Sequence, residues 1–349
     1  MPNKLPLKIA PKKICILRLS ALGDVTHVIP LIRGIQSQWP SCEITWICGA
    51  FEYKFLKLIN GIKFVVFNKS DGFKAYLKLR NDLKNEVFDV LLHMQVAARA
   101  NICSLFIKAD IRLGWDRKRS RDLHHLFVNH SVAVVGKQHQ QDGFLSFGSA
   151  LGLKTSKPRW ELPITDNAKT FVRHNIVSDK PVMLISACSS HKLRNWSPER
   201  YAAVADHAIK KHGMQVVLSG GPSKIELEMA KRIVSCMRQS AIDLVGKDTL
   251  EQLIGLLDKA DVVLSPDSGP AHLANAVGAR VIGLYACTWS LRSGPYNSIN
   301  NCIDKFDLAA NKYLGKSAED LYWGTKIERE GVMDLISVED VCNKLDGIM

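Results

Sequence analysis

Residues 261–285, DVVLSPDSGPAHLANAVGARVIGLY, carry the clearest structural signal in the chain. A β-branched run is followed by a Pro-Asp-Ser-Gly-Pro loop, by small residues and by a second apolar run, which predicts strand, tight loop, helix and strand. Pro270 is tolerated in the first helical turn because its missing N–H would have no partner there. We therefore expect the helix to begin near Ser268 and to end before Gly278.

The start of this helix is a candidate phosphate-binding site. A helix N-terminus carries about half a unit of positive charge and several unpaired N–H donors, which suit an anion. We predict that Ser268 and His272 add side-chain donors to a phosphate site on which Asp267 and Gly269 also lie. The alternative is an ordinary strand-to-helix turn in which Asp267 or Ser268 caps the helix.

Length and composition describe a globular protein with two domains and a cleft between them. A chain of 349 residues is too long for one ordinary core, and it fits two domains of about 150 residues each. No apolar run approaches the ~20 residues that span a bilayer. The run Ile14 to Leu19 is interrupted by Arg18 and lacks a small-residue cleavage site, so we expect no signal peptide and a cytoplasmic protein.

Several common site motifs are missing from the sequence. The nine cysteines form no C-x-x-C pair, which favours reduced thiols over disulfides or zinc. Neither H-E-x-x-H, D-x-D nor G-x-G-x-x-G occurs, so we expect no metal, no cofactor and no dinucleotide site. Protein side chains would then have to neutralise any leaving diphosphate.

The formal charge of +13 should attract anionic partners. Residues 112–121, RLGWDRKRSR, concentrate five basic residues. Asp116 and a single aromatic residue, Trp115, make this stretch a poor platform for single-stranded nucleic acid. We interpret it as a solvated basic loop, with a phosphate contact on the acceptor side as the alternative, and we expect no nucleic-acid partner.

Strand-like and helix-like patterns alternate along both halves of the chain, which predicts two doubly wound α/β domains with parallel sheets. Residues 154–166, KTSKPRWELPITD, have no sustained period, so we place the boundary there. We predict an N-terminal domain (1–160), a C-terminal domain (161–330) and a final helix within 331–349 that packs back toward the N-terminal domain. The predicted strands are 13–19, 43–48, 62–67, 87–94, 110–113, 181–186, 214–219, 241–245, 261–264 and 280–284.

Four short motifs occur in series along the chain. They are Gly23-Asp24-Val25-Thr26-His27 with Pro30, Arg194-Asn195-Trp196-Ser197-Pro198, Gly220-Gly221 with Glu226, and Pro266-Asp-Ser-Gly-Pro-Ala-His-Leu-Ala274. In this order the chain resembles glycosyltransferase family 9, the heptosyltransferases of lipopolysaccharide core assembly. The resemblance implies a GT-B fold, with two Rossmann-like doubly wound domains facing a central cleft, the acceptor bound by the first domain and ADP-heptose by the second.

The activity implied by the resemblance is inverting transfer, without an essential metal, of heptose from ADP-L-glycero-D-manno-heptose. The implied acceptor is the phosphorylated lipopolysaccharide core, at lipid A-Kdo or a heptosyl residue, with peripheral contact at the cytoplasmic face of the inner membrane. Two alternatives stay open: another nucleotide sugar as donor, or a non-catalytic nucleotide-sugar-binding protein. Loss of Asp24 would mark the latter, and Asp24 is present.

The resemblance assigns roles near the first strand. Asp24 matches the family's catalytic aspartate, which would remove the proton of the acceptor hydroxyl. Gly23, Thr26 and His27 are assigned to the acceptor side. The alternatives are that Asp24 caps the following helix and that His27 is a structural residue on a helix face.

Donor contacts are predicted in the second half. Arg194 stands where most of the family has lysine, and its guanidinium can hold two oxygens of the ADP leaving group; a loop arginine paired with a carboxylate is the alternative. Ser189 is a second predicted diphosphate contact or a turn residue. Glu226 is expected to contact the nucleoside, with Glu228 as the alternative. Ala286-Cys287 replaces a Gly-Pro pair common in the family, which leaves the donor sugar open.

Overall fold

The structure is a computed structural model that describes residues 4–154, 157–177 and 179–349. The chain divides into two compact units, Met1–Leu162 and Pro163–Met349. Each unit is built on a six-stranded sheet whose described strand pairs are all parallel. Residues 155 and 156, inside the predicted linker, lie outside the described part of the chain.

The first unit alternates strands and helices, and its sheet has the order β3-β2-β1-β4-β5-β6. The strands are β1 (Lys13–Leu17), β2 (Glu43–Gly49), β3 (Ile62–Phe67), β4 (Phe88–His93), β5 (Ala109–Gly114) and β6 (His130–Ser131). The helices are α1 (Leu22–Gln38), α2 (Ala50–Leu56), α3 (Phe73–Asp82), α4 (Ala98–Ser104) and α5 (Gln140–Leu151).

The second unit repeats this design, and its sheet has the order β12-β11-β10-β7-β8-β9. The strands are β7 (Val182–Ile185), β8 (Gln215–Leu218), β9 (Ile242–Asp243), β10 (Val262–Pro266), β11 (Arg280–Tyr285) and β12 (Ile303–Asp304). The helices are α6 (Asp166–Asn175), α7 (Pro198–His212), α8 (Lys224–Cys236), α9 (Leu250–Lys259), α10 (Gly269–Val277), α11 (Ser290–Ser293), α12 (Phe306–Leu314) and α13 (Val338–Asp346).

Both sheets reverse their winding direction at one point. The first strand of each unit pairs with the second and with the fourth, so β1 lies between β2 and β4 and β7 lies between β8 and β10. Loops that follow the two central strands leave the sheet edge in opposite directions, and ligands of such folds bind in the crevice between them. The loops after β1 and β4, and after β7 and β10, are therefore the positions where each unit can hold a ligand.

The central strands are fully buried, as expected for parallel strands covered by helices on both faces. Residues 14–17 of β1 and 262–264 of β10 have no exposed surface. Helix α10 has Ser268 as its N-cap and ends at Gly278, whose φ of 91° is a left-handed conformation that glycine adopts without strain. The predicted bounds of this helix and the doubly wound α/β fold are confirmed.

Short or polar elements escape the sequence analysis. Strands β6 and β12 have two residues each, and α6 is mostly polar, with Ala168 its buried residue. Helix α6 packs on α9, where a Cβ on Gly255 would lie 2.9 Å from the Cβ of Ala168. Glycine at this position lets the two helices approach closely.

The C-terminal helix belongs to the second unit, where α13 packs on α7. The expected contact of residues 331–349 with the N-terminal domain stays a prediction. The carboxylate of Asp346 accepts a hydrogen bond from Lys211 Nζ at 2.7 Å and lies 2.8 Å and 2.6 Å from the Nε2 atoms of His207 and His212. These contacts lower the pKa of Asp346, with the hydrogen bond from Lys211 as the largest cause.

All nine cysteines are free. Burial raises the pKa of Cys48, Cys103 and Cys287 to about 12. Cys236, at the end of α8, is exposed. Of the described helices the longest, α1, has 17 residues, and none combines the length and apolarity of a membrane span.

Candidate active site

Asp24 lies in the first turn of α1, directly after β1. Ala21 is the N-cap, so Asp24 is the third helical residue and not the cap itself. Its Oδ2 accepts from the backbone N–H of Ala21 at 3.2 Å and pairs with the guanidinium of Arg18, while Oδ1 accepts from Nε2 of Gln140. A carboxylate offers about four lone-pair positions, and this side chain is 22% exposed. Asp24 thus contacts the helix start, and part of its side chain is accessible to solvent.

Arg18 connects Asp24 to the neighbouring strand. Its NH1 donates to the carbonyl of Met94 at 2.7 Å, directly after β4, and its side chain is 12% exposed. On the same loop, the side-chain oxygen of Gln95 accepts from the backbone N–H of Leu19 at 2.7 Å. The carboxylate of Asp24 is therefore fixed at the point where the winding of the first sheet reverses. In the sequence, the only sign of this contact is the charge of Arg18, which interrupts the apolar run that begins at Ile14.

Thr26 and His27 lie in the core of the first unit. Thr26 is 1% exposed and donates its hydroxyl proton to the carbonyl of Gly23 at 2.6 Å. His27 is 2% exposed, with Nδ1 2.9 Å from Oε1 of Gln141, and its ring packs against Phe144. This burial matches the alternative interpretation of His27 as a structural residue. Of the predicted acceptor-side residues Gly23, Thr26 and His27, Gly23 is partly exposed, and so is the predicted catalytic Asp24.

Arg194 lies between two carboxylates in the second unit. It ends a 3-10 turn, Lys192–Arg194, in the loop after β7. Its NH2 donates to Oε1 of Glu328 at 2.9 Å, and its NH1 lies 3.5 Å from Oδ2 of Asp267, after β10. The guanidinium is 14% exposed, and its buried Nε has no hydrogen-bond partner among the described residues. The loops after the two central strands of this sheet therefore meet at one cation.

Asp267 and His272 flank the start of α10. The Nε2 of His272 lies 3.8 Å from Oδ1 of Asp267. Burial acts to raise the pKa of Asp267, but the hydrogen bond and charge of His272, the charge of Arg194 and the hydrogen bond of Thr288 outweigh it and hold that pKa below its usual range. Ser268 makes no side-chain cap, since its hydroxyl pairs with that of Ser265 at 2.8 Å. The N-cap side chain therefore leaves the first N–H groups of α10 uncapped, which suits anion binding.

Ser189 begins the loop that leads to Arg194. Its backbone N–H donates to Oδ1 of Asn195 at 2.7 Å, and its hydroxyl accepts from the backbone N–H of His191 at 3.3 Å. The second contact is the turn role that the sequence left as an alternative.

Glu226 and Glu228 have different surroundings. Glu226 accepts from the backbone N–H of Gly221 at 2.7 Å and from the hydroxyl of Ser223 at 2.5 Å. A Cβ on Gly221 would lie 3.0 Å from Oε2 of Glu226, so this carboxylate lies close against the glycine backbone. Glu226 lines a small cleft at the carboxyl ends of β7 and β8 together with Ser219. Glu228 is exposed and pairs with Lys224 at 3.8 Å.

Asp248, which contacts Ser219 of this cleft, is a further acid that the sequence analysis missed. Its Oδ2 accepts from the hydroxyl of Ser219 at 2.8 Å. Burial raises its pKa to about 6, and the nearby charge of Glu226 acts in the same direction. No motif marks it, because Ser219 is 29 residues away in the chain.

The basic stretch is not uniformly solvated. The guanidinium of Arg112 donates to the carbonyls of Phe127, Ile107 and Ser104, each at 2.8 Å. Arg119 pairs with Asp116 and lies over the ring of Trp115. The exposed basic residues of the stretch are Arg117, Lys118 and Arg121.

Among the described residues, one group of ligand atoms is close enough together to hold a metal ion. His207, His212 and Asp346 have ligand atoms within 4.8 Å of one another. Lys211 already pairs with the other oxygen of Asp346. The group lies on α7 and α13 and not on the loops after β7 and β10, so we assign it to the attachment of α13.

Comparison with known proteins identifies the class. A glycosyl transferase family 9 protein from Veillonella parvula matches the structure with a TM-score of 0.79, at 20% identity over 97% of both chains. The Escherichia coli ADP-heptose lipopolysaccharide heptosyltransferase II matches with a TM-score of 0.71, at 17% identity over 97% of this chain and 98% of that one. The fold is therefore GT-B, the two-unit architecture of many glycosyltransferases.

The sequence identifies the family. The model of glycosyltransferase family 9 (heptosyltransferase) matches residues 76–321. The lipopolysaccharide core heptosyltransferase OpsX of Haemophilus influenzae is 41% identical over 336 residues, which cover 96% of each chain. The chain belongs to glycosyltransferase family 9, and the resemblance inferred from the four motifs is confirmed.

The raised pKa of Asp248 predicts a pH-dependent stability. Because the folded-state pKa of about 6 exceeds the ordinary value, the free energy of unfolding should fall as the pH rises from about 4 to 6 and stay reduced above that. Asp248→Asn keeps an acceptor for Ser219 and removes this penalty. We expect the variant to gain on the order of 1–2 kcal/mol at pH 7.5 and nothing at pH 3.5. Chemical denaturation at both pH values measures the free energy of unfolding, with the exposed Asp320→Asn as the control. A gain that does not depend on pH would contradict the raised pKa of Asp248.

Proposed function

We propose that this protein is an inverting heptosyltransferase that transfers heptose from ADP-L-glycero-D-manno-heptose to the lipopolysaccharide core, at lipid A-Kdo or a heptosyl residue. The observation that carries the proposal is the group of Arg194, Asp267 and His272 at the uncapped start of α10. Identity of 41% to a core heptosyltransferase over nearly the whole chain supports the donor and acceptor class.

The donor's diphosphate would lie at the start of α10. Arg194 supplies two parallel N–H donors, His272 supplies a ring N–H, and the backbone N–H groups of the first helical turn complete the set. The ribose hydroxyls would donate to the carboxylate of Glu226, which lies at the neighbouring carboxyl ends of β7 and β8. Positive charge thus lies where the ADP leaving group develops negative charge.

Transfer is a single displacement at the anomeric carbon. The acceptor hydroxyl oxygen forms the new bond as its proton passes to Asp24, and the bond to the diphosphate breaks with both electrons leaving on ADP. Arg18 and Gln140 hold the Asp24 carboxylate in place. The rate depends on the position of the base as well as on its pKa, because a general base acts only within hydrogen-bond reach of the proton.

ADP should stabilise the protein against heat. A ligand at 100 times its dissociation constant adds about 2.7 kcal/mol to the free energy of unfolding. We expect ADP to raise the melting temperature more than UDP or GDP, Arg194→Ala to remove most of the shift, and Arg194→Lys to restore part of it, since the charge is kept but the bidentate geometry is lost. Differential scanning fluorimetry measures all three.

The matched control for this series is Arg232→Ala, which removes an exposed arginine on α8 that pairs with Glu199. Its ADP response should equal that of the wild type. Equal responses to all three nucleotides would refute the adenine assignment. A full response in Arg194→Ala would refute the phosphate site.

Asp24→Asn separates catalysis from helix capping. Asn keeps the shape of the side chain and an acceptor for the N–H of Ala21, but it cannot take a proton. We expect the transfer rate to fall by about 10²- to 10⁴-fold with ADP affinity nearly unchanged. Loss of the ion pair with Arg18 should lower stability by about 1–2 kcal/mol.

The control is Asp89→Asn. Asp89 accepts from the backbone N–H groups of Lys12 and Lys13 at 2.7 Å and 2.8 Å. Asp89→Asn therefore also removes a structural carboxylate from the first unit. Its transfer rate should match that of the wild type. A wild-type rate in Asp24→Asn would exclude the base assignment.

The finer proposal on location is peripheral contact with the cytoplasmic face of the inner membrane. Arg117, Lys118 and Arg121 are exposed and precede Leu123 and Leu126, which are 63% and 67% exposed. Basic residues beside apolar ones suit an anionic lipid surface. The same charges suit the phosphates of the acceptor.

Binding to vesicles tests the location. Each Lys or Arg near an anionic surface contributes about 1 kcal/mol, so Arg117→Gln, Lys118→Gln and Arg121→Gln together should weaken binding to phosphatidylglycerol vesicles by about 100-fold. Co-sedimentation at low and high salt measures this. Exposed Lys74, Lys78 and Lys84 on or beside α3, replaced by Gln, are the control for net charge. If both triple variants lose affinity equally, the membrane contact is not at residues 117–126.

A further inference from the structure

Glu328 was not marked by any motif, yet it makes the shortest ionic contact of Arg194, at 2.9 Å. It lies in irregular backbone between Gly324 and Gly331. The backbone N–H of Ile327 donates to the carbonyl of Cys287 at 2.8 Å, after β11, and the side chain of Ile327 is 2% exposed. The backbone beside Glu328 is therefore anchored, and its carboxylate is placed on the guanidinium by the fold.

Arg194 is shared between two anions. One guanidinium faces two carboxylates, Glu328 at 2.9 Å and Asp267 at 3.5 Å. Burial acts to raise the pKa of Glu328, but the hydrogen bond and charge of Arg194, with those of His191 and Lys326, outweigh it and lower that pKa. Glu328 is therefore ionised near neutral pH. A nucleoside diphosphate that approaches Arg194 meets a cation whose NH2 group is already occupied by an anion.

The two carboxylates differ in how firmly they are held. Asp267 is 13% exposed, lies in the turn between β10 and α10, and has both His272 and Arg194 as neighbours, at 3.8 Å and 3.5 Å. Glu328 is 27% exposed, and its second oxygen lies 3.3 Å from Nε2 of His191, a side chain that is itself 44% exposed. Of the two, the Glu328 carboxylate is the one that can turn toward solvent without disturbing a strand or a helix.

We propose that Glu328 is an internal anion that occupies the guanidinium of Arg194 until the diphosphate of the nucleotide sugar displaces it, and that it returns when ADP leaves. This inference rests on the proposed function, because it uses Arg194 as the phosphate contact. Glu328 acts through Arg194 and is a positioning residue. It weakens nucleotide affinity, and it accelerates product release because the departing diphosphate is replaced by a carboxylate on the same N–H groups.

The direction in which one substitution changes the affinity for ADP tests the proposal. Glu328→Gln keeps the size of the side chain and removes its charge, so ADP should bind 3- to 10-fold more tightly than to the wild type, with slower dissociation. A residue that merely supports Arg194 would give weaker or unchanged binding when replaced. Isothermal titration calorimetry with ADP measures affinity, and stopped-flow displacement measures the dissociation rate. Glu328→Ala should also tighten ADP binding. This second variant provides the same test if Glu328→Gln folds poorly.

The matched control is Glu330→Gln. Glu330 is exposed, lies two residues away on the same segment and carries the same charge. A general reduction of negative charge would tighten ADP binding in both variants, whereas displacement from Arg194 affects Glu328 alone. Repeating Glu328→Gln on the Arg194→Ala background should leave ADP affinity unchanged, because the carboxylate then has no guanidinium to occupy.

The outcomes separate this inference from the function on which it rests. If the wild type binds ADP, Arg194→Ala weakens that binding, and neither Glu328 variant tightens it, the phosphate site stands and the displaced-anion role is refuted. Tighter binding in Glu330→Gln to the same extent also refutes it. If the wild type binds neither ADP nor pyrophosphate, the proposed donor site fails and this inference fails with it.

Discussion

The parallel pairing of β7 with β10 is the constraint on which the candidate donor site depends. Its register joins Met183 to Val262 and Ile185 to Leu264, and all of these residues are buried. Two strands aligned in this way end at the same edge of the sheet, so the loops that follow them must meet there. Arg194 and Asp267 lie on those loops. The first unit uses the same geometry, because β1 and β4 bring Asp24, Arg18 and the carbonyl of Met94 together.

Local periodicity was enough to predict the fold class, the strands near the centre of each sheet and the bounds of α10. Short elements such as β6 and β12 were missed because two residues carry no period. Helix α6 was missed because its exposed surface is polar and it buries little more than Ala168. The boundary segment looked irregular, and its described residues 157–165 form no helix or strand. Sheet order itself is a long-range property that no local pattern contains.

The candidate site was predictable only where a residue lies in a motif. Asp24, Arg194 and Asp267 follow central strands, and that position is visible in the sequence. Their partners are not: Gln140 is 116 residues from Asp24, and Glu328 is 134 residues from Arg194. Motif membership also says nothing about side-chain direction. Residues 25–32 of α1 are all buried, so this part of the helix has no exposed face. A helical pattern could not show that the polar residues Thr26 and His27 are buried as well.

The cysteine chemistry of this chain has a practical consequence. Eight of the nine thiols have a raised pKa and would react slowly with electrophiles at neutral pH, because the thiolate is the nucleophile. Cys236 is the exposed thiol, at the last turn of the helix that also carries Glu226. A maleimide fluorophore attached at Cys236 would label the second unit of the native chain without mutations that remove other cysteines. One added cysteine in the first unit would then allow the distance between two labels to be measured.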